Sequence, residues 1–315
     1  IRGKNTIRIS DVLVGEVWIG SGQSNMAMPV RAAKNAEQEI AAANFPNIRL
    51  FTVARKSTPE PQTDCVGRWQ VCSPKTVGSF SATAYFFGRE LHEKLGVPVG
   101  LINSSWGGTP IEAWTDLAVQ QKVSELKPIL EAWEQRIAHY TPKAAEAAQA
   151  RYEKRLAEWK KEAREARRQG QRPPRRPRAP IDPKIAPHRP GNLYNGMIRP
   201  LIPYAIRGAI WYQGEHNSHT FPHLYGLQLK LLVQSWRDVW NQGSFPFAWV
   251  QLPNFRAPQK EPSETTGWVL VRQDSRCPEH GHGCDSRYRR GKQHPSEEQA
   301  RGGASAGHMG FGQSV

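Results

Sequence analysis

Asp11-Val12-Leu13-Val14-Gly15-Glu16-Val17-Trp18-Ile19-Gly20-Ser21-Gly22-Gln23-Ser24-Asn25-Met26 is the stretch that decides the fold. Its first nine residues are rich in β-branched and aromatic side chains. The run stops at a Gly/Ser cluster, and the helical-looking Arg31–Ala43 follows. The pattern predicts strand, tight turn, helix. A serine on such a turn is held at the carboxyl edge of a sheet, with its hydroxyl exposed and its N–H near a helix start. That presents a weak nucleophile to a carbonyl, and the neighbouring glycines let the backbone turn sharply. Taken alone, Gly22-Gln23-Ser24-Asn25 also fits an ordinary polar loop, since Met26 stands where a lipase-type elbow has its second glycine.

Further units of the same kind follow. Phe80–Leu95 has helical period, with Phe80, Ala84, Phe87, Leu91 and Leu95 on one face, and Gly96-Val97-Pro98 ends it. Val99–Asn103 is a short apolar strand running into Ser104-Ser105-Trp106-Gly107-Gly108-Thr109-Pro110-Ile111-Glu112-Ala113-Trp114. The paired glycines suggest backbone brought close to a ligand. Ala205–Tyr212 reads as another buried strand and ends in Gln213-Gly214-Glu215-His216-Asn217. Leu224–Trp240 is an amphipathic helix, and Phe247–Leu252 a further strand. Repeated strand–loop–helix units predict an α/β fold with a parallel doubly-wound sheet, whose ligands bind at the carboxyl ends of the strands. Residues 44–75, with short extended pieces such as Ile48–Val53, read as a long excursion near the strand edge.

Length and charge set the bounds. The 315 residues suffice for one large α/β domain, and 11 Trp supply core material. No apolar run reaches the roughly 18–20 residues of a membrane span. The chain begins at Ile1 with strand-like character, so a preceding portion, signal peptide included, is expected. The net charge is +15, and residues 131–190 hold 16 Lys/Arg against 8 Asp/Glu. From Leu126 to Gln169 the composition is that of one or two exposed helices, broken near Thr141-Pro142. Gly170–Pro190 is a Pro/Arg linker. Stacking aromatics are not interleaved there, which argues against nucleic acid as a partner. An inserted helical arm and its return account for the segment, and a basic scaffold for an anionic polymer is a rival reading.

The four cysteines form two pairs of equal spacing. Cys65 and Cys72 either close a small disulfide loop or are free thiols. Cys277, His280, His282 and Cys284 invite a zinc reading, but neither pair has a standard ligand spacing.

Three loops can converge on one site. Acyl transfer from an ester needs a hydroxyl nucleophile, donors for the oxyanion and a base oriented by an acid. Ser24 fits the nucleophile. The N–H groups of Ser24 and Gly108 and the side-chain amide of Gln213 fit the donors. Glu215 either orients a histidine or is a structural carboxylate that ties loops together. Gln23, Asn25, Trp106, Gly107, His216 and Asn217 are the candidate substrate contacts.

These blocks resemble the sialate O-acetylesterase family of SGNH hydrolases: Gly22-Gln23-Ser24-Asn25-Met26, Gly107-Gly108-Thr109 with Ile111-Glu112 and Trp114, Asn192–Ile198, and Trp211-Tyr212-Gln213-Gly214-Glu215. The resemblance covers roughly residues 10–270 apart from the arm. It implies a flavodoxin-like three-layer α/β/α domain with a mostly parallel sheet. It also implies a secreted or periplasmic enzyme that removes acetyl groups from carbohydrate without cofactor. The implied organisation is the end of an N-terminal β-domain over 1–15, the esterase domain over 16–272 with the inserted arm at 126–190, and an aberrant tail over 273–315. A rival from a different class is a non-catalytic carbohydrate-binding remnant with the same pocket.

The family pattern includes a late Asp-x-x-His-Pro block whose histidine is the general base. The nearest candidate is His294, followed by Pro295, in surroundings that do not resemble the block. After Arg272 the apolar pattern collapses. Codons exist for Cys277–Pro295 that, read one base later, spell a strand-like run, an Asp, and Asn-Ile, with His-Pro next if Ser296 follows as TCC. The expectation is a reading-frame change near Gln273, which makes the zinc-like cluster a coincidence.

Overall fold

The computed structural model describes residues 8–253 and 266–274. Its centre is a six-stranded sheet. The strands are β1 (Glu16–Gly22), β2 (Phe45–Thr52), β3 (Trp69–Cys72), β4 (Val99–Ser105), β5 (Gly208–Tyr212) and β6 (Phe247–Trp249), in spatial order β3-β2-β4-β1-β5-β6. All neighbouring pairs are parallel except β2–β3 at the edge. The helices are α1 (Ser24–Ala27), α2 (Ala36–Ala42), α3 (Ala82–Leu95), α4 (Leu117–Gln120), α5 (Lys127–Ala138), α6 (Pro142–Arg168), α7 (Tyr225–Trp240) and α8 (Gly267–Asp274).

The sheet alternation sorts the core into two layers. On one face, Trp18 meets Phe87 of α3 edge-on at 4.9 Å, and Gly20 lies against Ala84. On the other, Trp211 packs edge-on with Trp114 and with Trp236 of α7, both at 6.2 Å. Ser81 caps α3 by accepting from the Ala84 N–H, and Gly96 ends it in the left-handed region. The α/β expectation and its three layers hold.

Several local expectations are corrected. The extended run from Asp11 becomes a strand only at Glu16, because its partner β4 starts at Val99, just after Pro98, and no ladder is available earlier. Arg31–Ala43 is not one helix: the left-handed Asn35 interrupts it, leaving one turn at Val30–Ala32 and then α2. Ile48–Thr52 lies in an interior parallel strand rather than in an excursion. Only Ile48 and Leu50 of β2 are fully buried, so its apolar signal is faint. The break at Thr141-Pro142 falls where expected, with the Thr141 hydroxyl accepting from the Ala144 N–H. Cys65 and Cys72 are free thiols, and burial pushes the Cys72 pKa up to about 12. His294 and the Cys277/Cys284 cluster lie outside the described residues, as does most of 273–315. Among the described residues, no helix is long and apolar enough to cross a membrane.

Gly22 ends β1 at φ +135°, and a Cβ there would sit 2.1 Å from the Tyr212 carbonyl oxygen. Backbone cannot yield as a side chain does. Gly22→Ala is therefore expected to lower stability by more than about 2 kcal/mol. Thermal unfolding measures this, and an unchanged midpoint would contradict the close approach.

Candidate active site

The sheet register builds the site. Gly22 stands beside Ser105 of β4 on one side and Tyr212 of β5 on the other. The three following loops therefore leave the sheet together, tied by Gln23 N–H to Tyr212 O at 2.9 Å and Trp106 N–H to Gly22 O at 3.1 Å. Ser24 is the first residue of α1 and is exposed. Its N–H has no intrahelical acceptor. Gly107 lies against it: a Cβ on Gly107 would be 3.5 Å from the Ser24 Cα and Cβ. Gly108 is exposed, at φ +78°. The predicted juxtaposition of Ser24 with the Gly107-Gly108 turn is thus present. Trp106 is half-buried and carries the Arg55 guanidinium 5.6 Å over its ring.

Beneath this surface is a buried amide network. Gln213 Nε2 donates to Asn217 Oδ1 (2.7 Å), Thr109 O (3.2 Å) and Gln23 Oε1 (3.3 Å). Gln23 Oε1 also accepts from the His216 N–H, and Asn217 Oδ1 from the Ile111 N–H. Asn217 Nδ2 donates to Glu112 Oε2 at 3.0 Å, and Gln228 Nε2 reaches the same oxygen at 3.2 Å. Gln23, Gln213 and Asn217 are at most 3% exposed. Gln23 and Asn217 thus bond within the loops, and the Gln213 amide donates to acceptors within the loops.

Glu215 accepts from Asn25 Nδ2 at 2.5 Å, and its Oε2 is buried without a hydrogen-bond partner. Burial raises its pKa, against the opposing effect of its hydrogen bonds. The carboxylate thus orients Asn25, next to Ser24. Among the described residues, no histidine is hydrogen-bonded to Glu215 or to Ser24. His216 and His188 instead flank Gly108: His188 Nε2 lies 3.0 Å from the Gly108 carbonyl oxygen, and the two imidazoles are 5.3 Å apart. Burial lowers the pKa of each, and His216 is lowered further by His188.

Two contributors escaped the sequence reading. Glu112 sat inside a quoted motif without a role, and only its carboxyl among buried apolar neighbours could have marked it. Arg55 follows β2 at the same sheet edge. Recognising β2 as a parallel strand would have placed it there.

Residues 14–170 match the family model described as carbohydrate esterase, sialic acid-specific acetylesterase. The chain is 33% identical over 267 residues to the sialate O-acetylesterase of Rattus norvegicus, covering 79% of this chain and 45% of that protein. With the Homo sapiens sialate O-acetylesterase it shares 30% over 263 residues, covering 78% and 41%. A crystal structure of a carbohydrate acetylesterase from Xanthomonas citri superposes with a TM-score of 0.59 at 32% identity, covering 84% of this chain and 47% of that one. The chain thus spans less than half the length of these relatives.

Glu112 supplies a test of the network. Its carboxyl is buried, and desolvation raises its pKa above the ordinary 4.5. The folded state then holds the proton more tightly than the unfolded one. The stabilising contribution is complete below about pH 4.5 and is lost as pH rises through the folded-state pKa. Glu112→Gln removes that titration. Between pH 5 and pH 8 the wild-type unfolding midpoint should fall more than that of the variant. Parallel profiles would contradict a raised Glu112 pKa.

Proposed function

The chain belongs to the sialate O-acetylesterase family of carbohydrate esterases, and on that premise we propose that it hydrolyses acetyl esters on carbohydrate through Ser24. The observation that carries the proposal is the placement of an exposed Ser24 hydroxyl against the Gly107-Gly108 turn at the carboxyl edge of the sheet. Ser24 Oγ attacks the acetyl carbonyl. The N–H groups of Ser24 and Gly108 receive the developing oxyanion, where each such donor typically contributes about 3 kcal/mol. The sugar hydroxyl leaves with a proton, and water then cleaves the acetyl-enzyme.

The buried amides support this reading by fixing the loops that carry those donors. Gln213 joins the turn at Thr109 to the segment at Gln23, so one side chain spans both halves of the oxyanion site. Asn25, held by Glu215, borders the nucleophile. The proton from Ser24 needs an imidazole acceptor. His216 and His188 stand beside Gly108, and His294 is the third candidate. The family resemblance supports a secreted or periplasmic setting and an acetylated carbohydrate as substrate.

One feature favours the rival, a carbohydrate-binding chain without turnover: no described histidine bonds to Ser24. Hydrolysis of 4-nitrophenyl acetate separates the two. Ser24→Ala is expected to reduce the enzymatic rate by about a thousandfold or more, as loss of a serine nucleophile does. One of His188→Ala, His216→Ala and His294→Ala should match it. A wild-type rate no higher than that of Ser24→Ala would favour the binding-only reading.

A further inference from the structure

We propose that the arm formed by α6 and the tract after it is a docking surface for an acidic, O-acetylated polysaccharide. The inference rests on the esterase reading for the acetyl group and on the arm itself for the acidic one.

Residues 142–180 carry 13 Lys or Arg against 5 Glu. Among the described residues, none of these cations takes part in an ion pair; the ion pairs lie elsewhere, as in Arg89 with Glu39. The arm is not a loose charge run. Trp159 Nε1 donates to the Pro174 carbonyl at 2.7 Å, and the Arg176 guanidinium lies 5.9 Å over the Trp159 ring. Further along, Pro180 shares a cleft with Ala145, Gln149 and Ala150. The tract therefore returns antiparallel along the helix. Lengths agree: six extended residues from Pro174 to Pro180 span about 19 Å, and the twelve helical residues back from Trp159 to residue 147 about 18 Å. The result is a rod about 40 Å long at the 1.5 Å rise of a 27-residue helix. On it, Lys160, Arg164, Arg167 and Arg168 surround the half-buried Trp159 in an open cleft.

Three observations choose the ligand. The rod's cations are exposed and unneutralised, so the partner is a linear polyanion. Its single tryptophan, Trp159, is already engaged with Pro174 and Arg176, and its other aromatic, Tyr152, is half-buried, so the rod lacks the run of bare stacking faces used for single-stranded nucleic acid. Among the described residues, the exposed large apolar side chains lie outside residues 142–180, so the rod offers none of them to a lipid surface. The arm also leads into the candidate active site. Arg178 and Arg136 both depress the basicity of His188, which contacts Gly108 at 3.0 Å. A polymer lying on the rod is fed toward the ester-cleaving turn, and one that carries both carboxylates and acetyl esters suits both.

Affinity electrophoresis of the full chain carrying Ser24→Ala tests this without turnover. The gels contain polygalacturonate, neutral dextran or duplex DNA. Polygalacturonate should retard the chain and dextran should not. Raising salt from about 50 mM to about 500 mM should weaken retention at least tenfold, as screening predicts. A variant with Lys160, Arg164, Arg167 and Arg168 each changed to Gln should lose binding by a similar factor. A second variant, with Arg172, Arg175 and Arg176 changed to Gln, guards against loss of α6. In the Ser24 background both variants should retain 4-nitrophenyl acetate hydrolysis. Retention by polygalacturonate no greater than by dextran, binding by both neutralised variants as tight as that of the parent chain, or tighter binding of duplex DNA would each overturn the proposal. Failure of the esterase reading shows separately, in the hydrolysis assay.

Discussion

Everything at the candidate site depends on the parallel register of β1 between β4 and β5. Because Gly22 pairs with both Ser105 and Tyr212, three loops leave the sheet at one level. The approach is closer than a Cβ allows, and only glycine at φ +135° lets β1 end there. Shifting any of the three strands by one residue would turn its side chains to the opposite layer. Trp18 and Trp211 would then leave Phe87 and Trp236, so the packing of both layers enforces the alignment that the chemistry needs.

Registered loops still need fixing against one another. The described structure does this with neutral amides rather than ion pairs: Gln23, Gln213, Asn217 and Gln228 around the Glu112 carboxyl. Buried amides avoid the large desolvation cost of charges, provided their hydrogen bonds are made. The polar surface above stays open, with Ser24, Gly107 and Gly108 exposed. Rigid support beneath and accessible groups above is the arrangement that preorganised oxyanion binding requires.

The sequence was legible where physics is local. The Gly/Ser cluster after Ile19, the helical period of Phe80–Leu95 and the composition of the arm each report their own element. So did the convergence of Ser24 with Gly107-Gly108, since all follow strands. What escaped was set by distant partners. β2 shows few buried side chains, and its identity comes from pairing with β4. Nor does anything local report that the Gln213 amide donates to Asn217 and Thr109. Asn192 and Asn195 belonged to a quoted block, yet their work is structural: they donate to backbone carbonyls at Lys184, Ala186 and Pro59, joining the arm's return to the loop after β2.

The nucleophilic role proposed for Ser24 rests on the loops that hold it. The most direct test is reaction of the folded chain with a serine-directed fluorophosphonate, followed by peptide mass spectrometry. A single adduct is expected, on Ser24, and it should disappear when the chain is first unfolded. An adduct on another serine, or none on Ser24 of the folded chain, would contradict it.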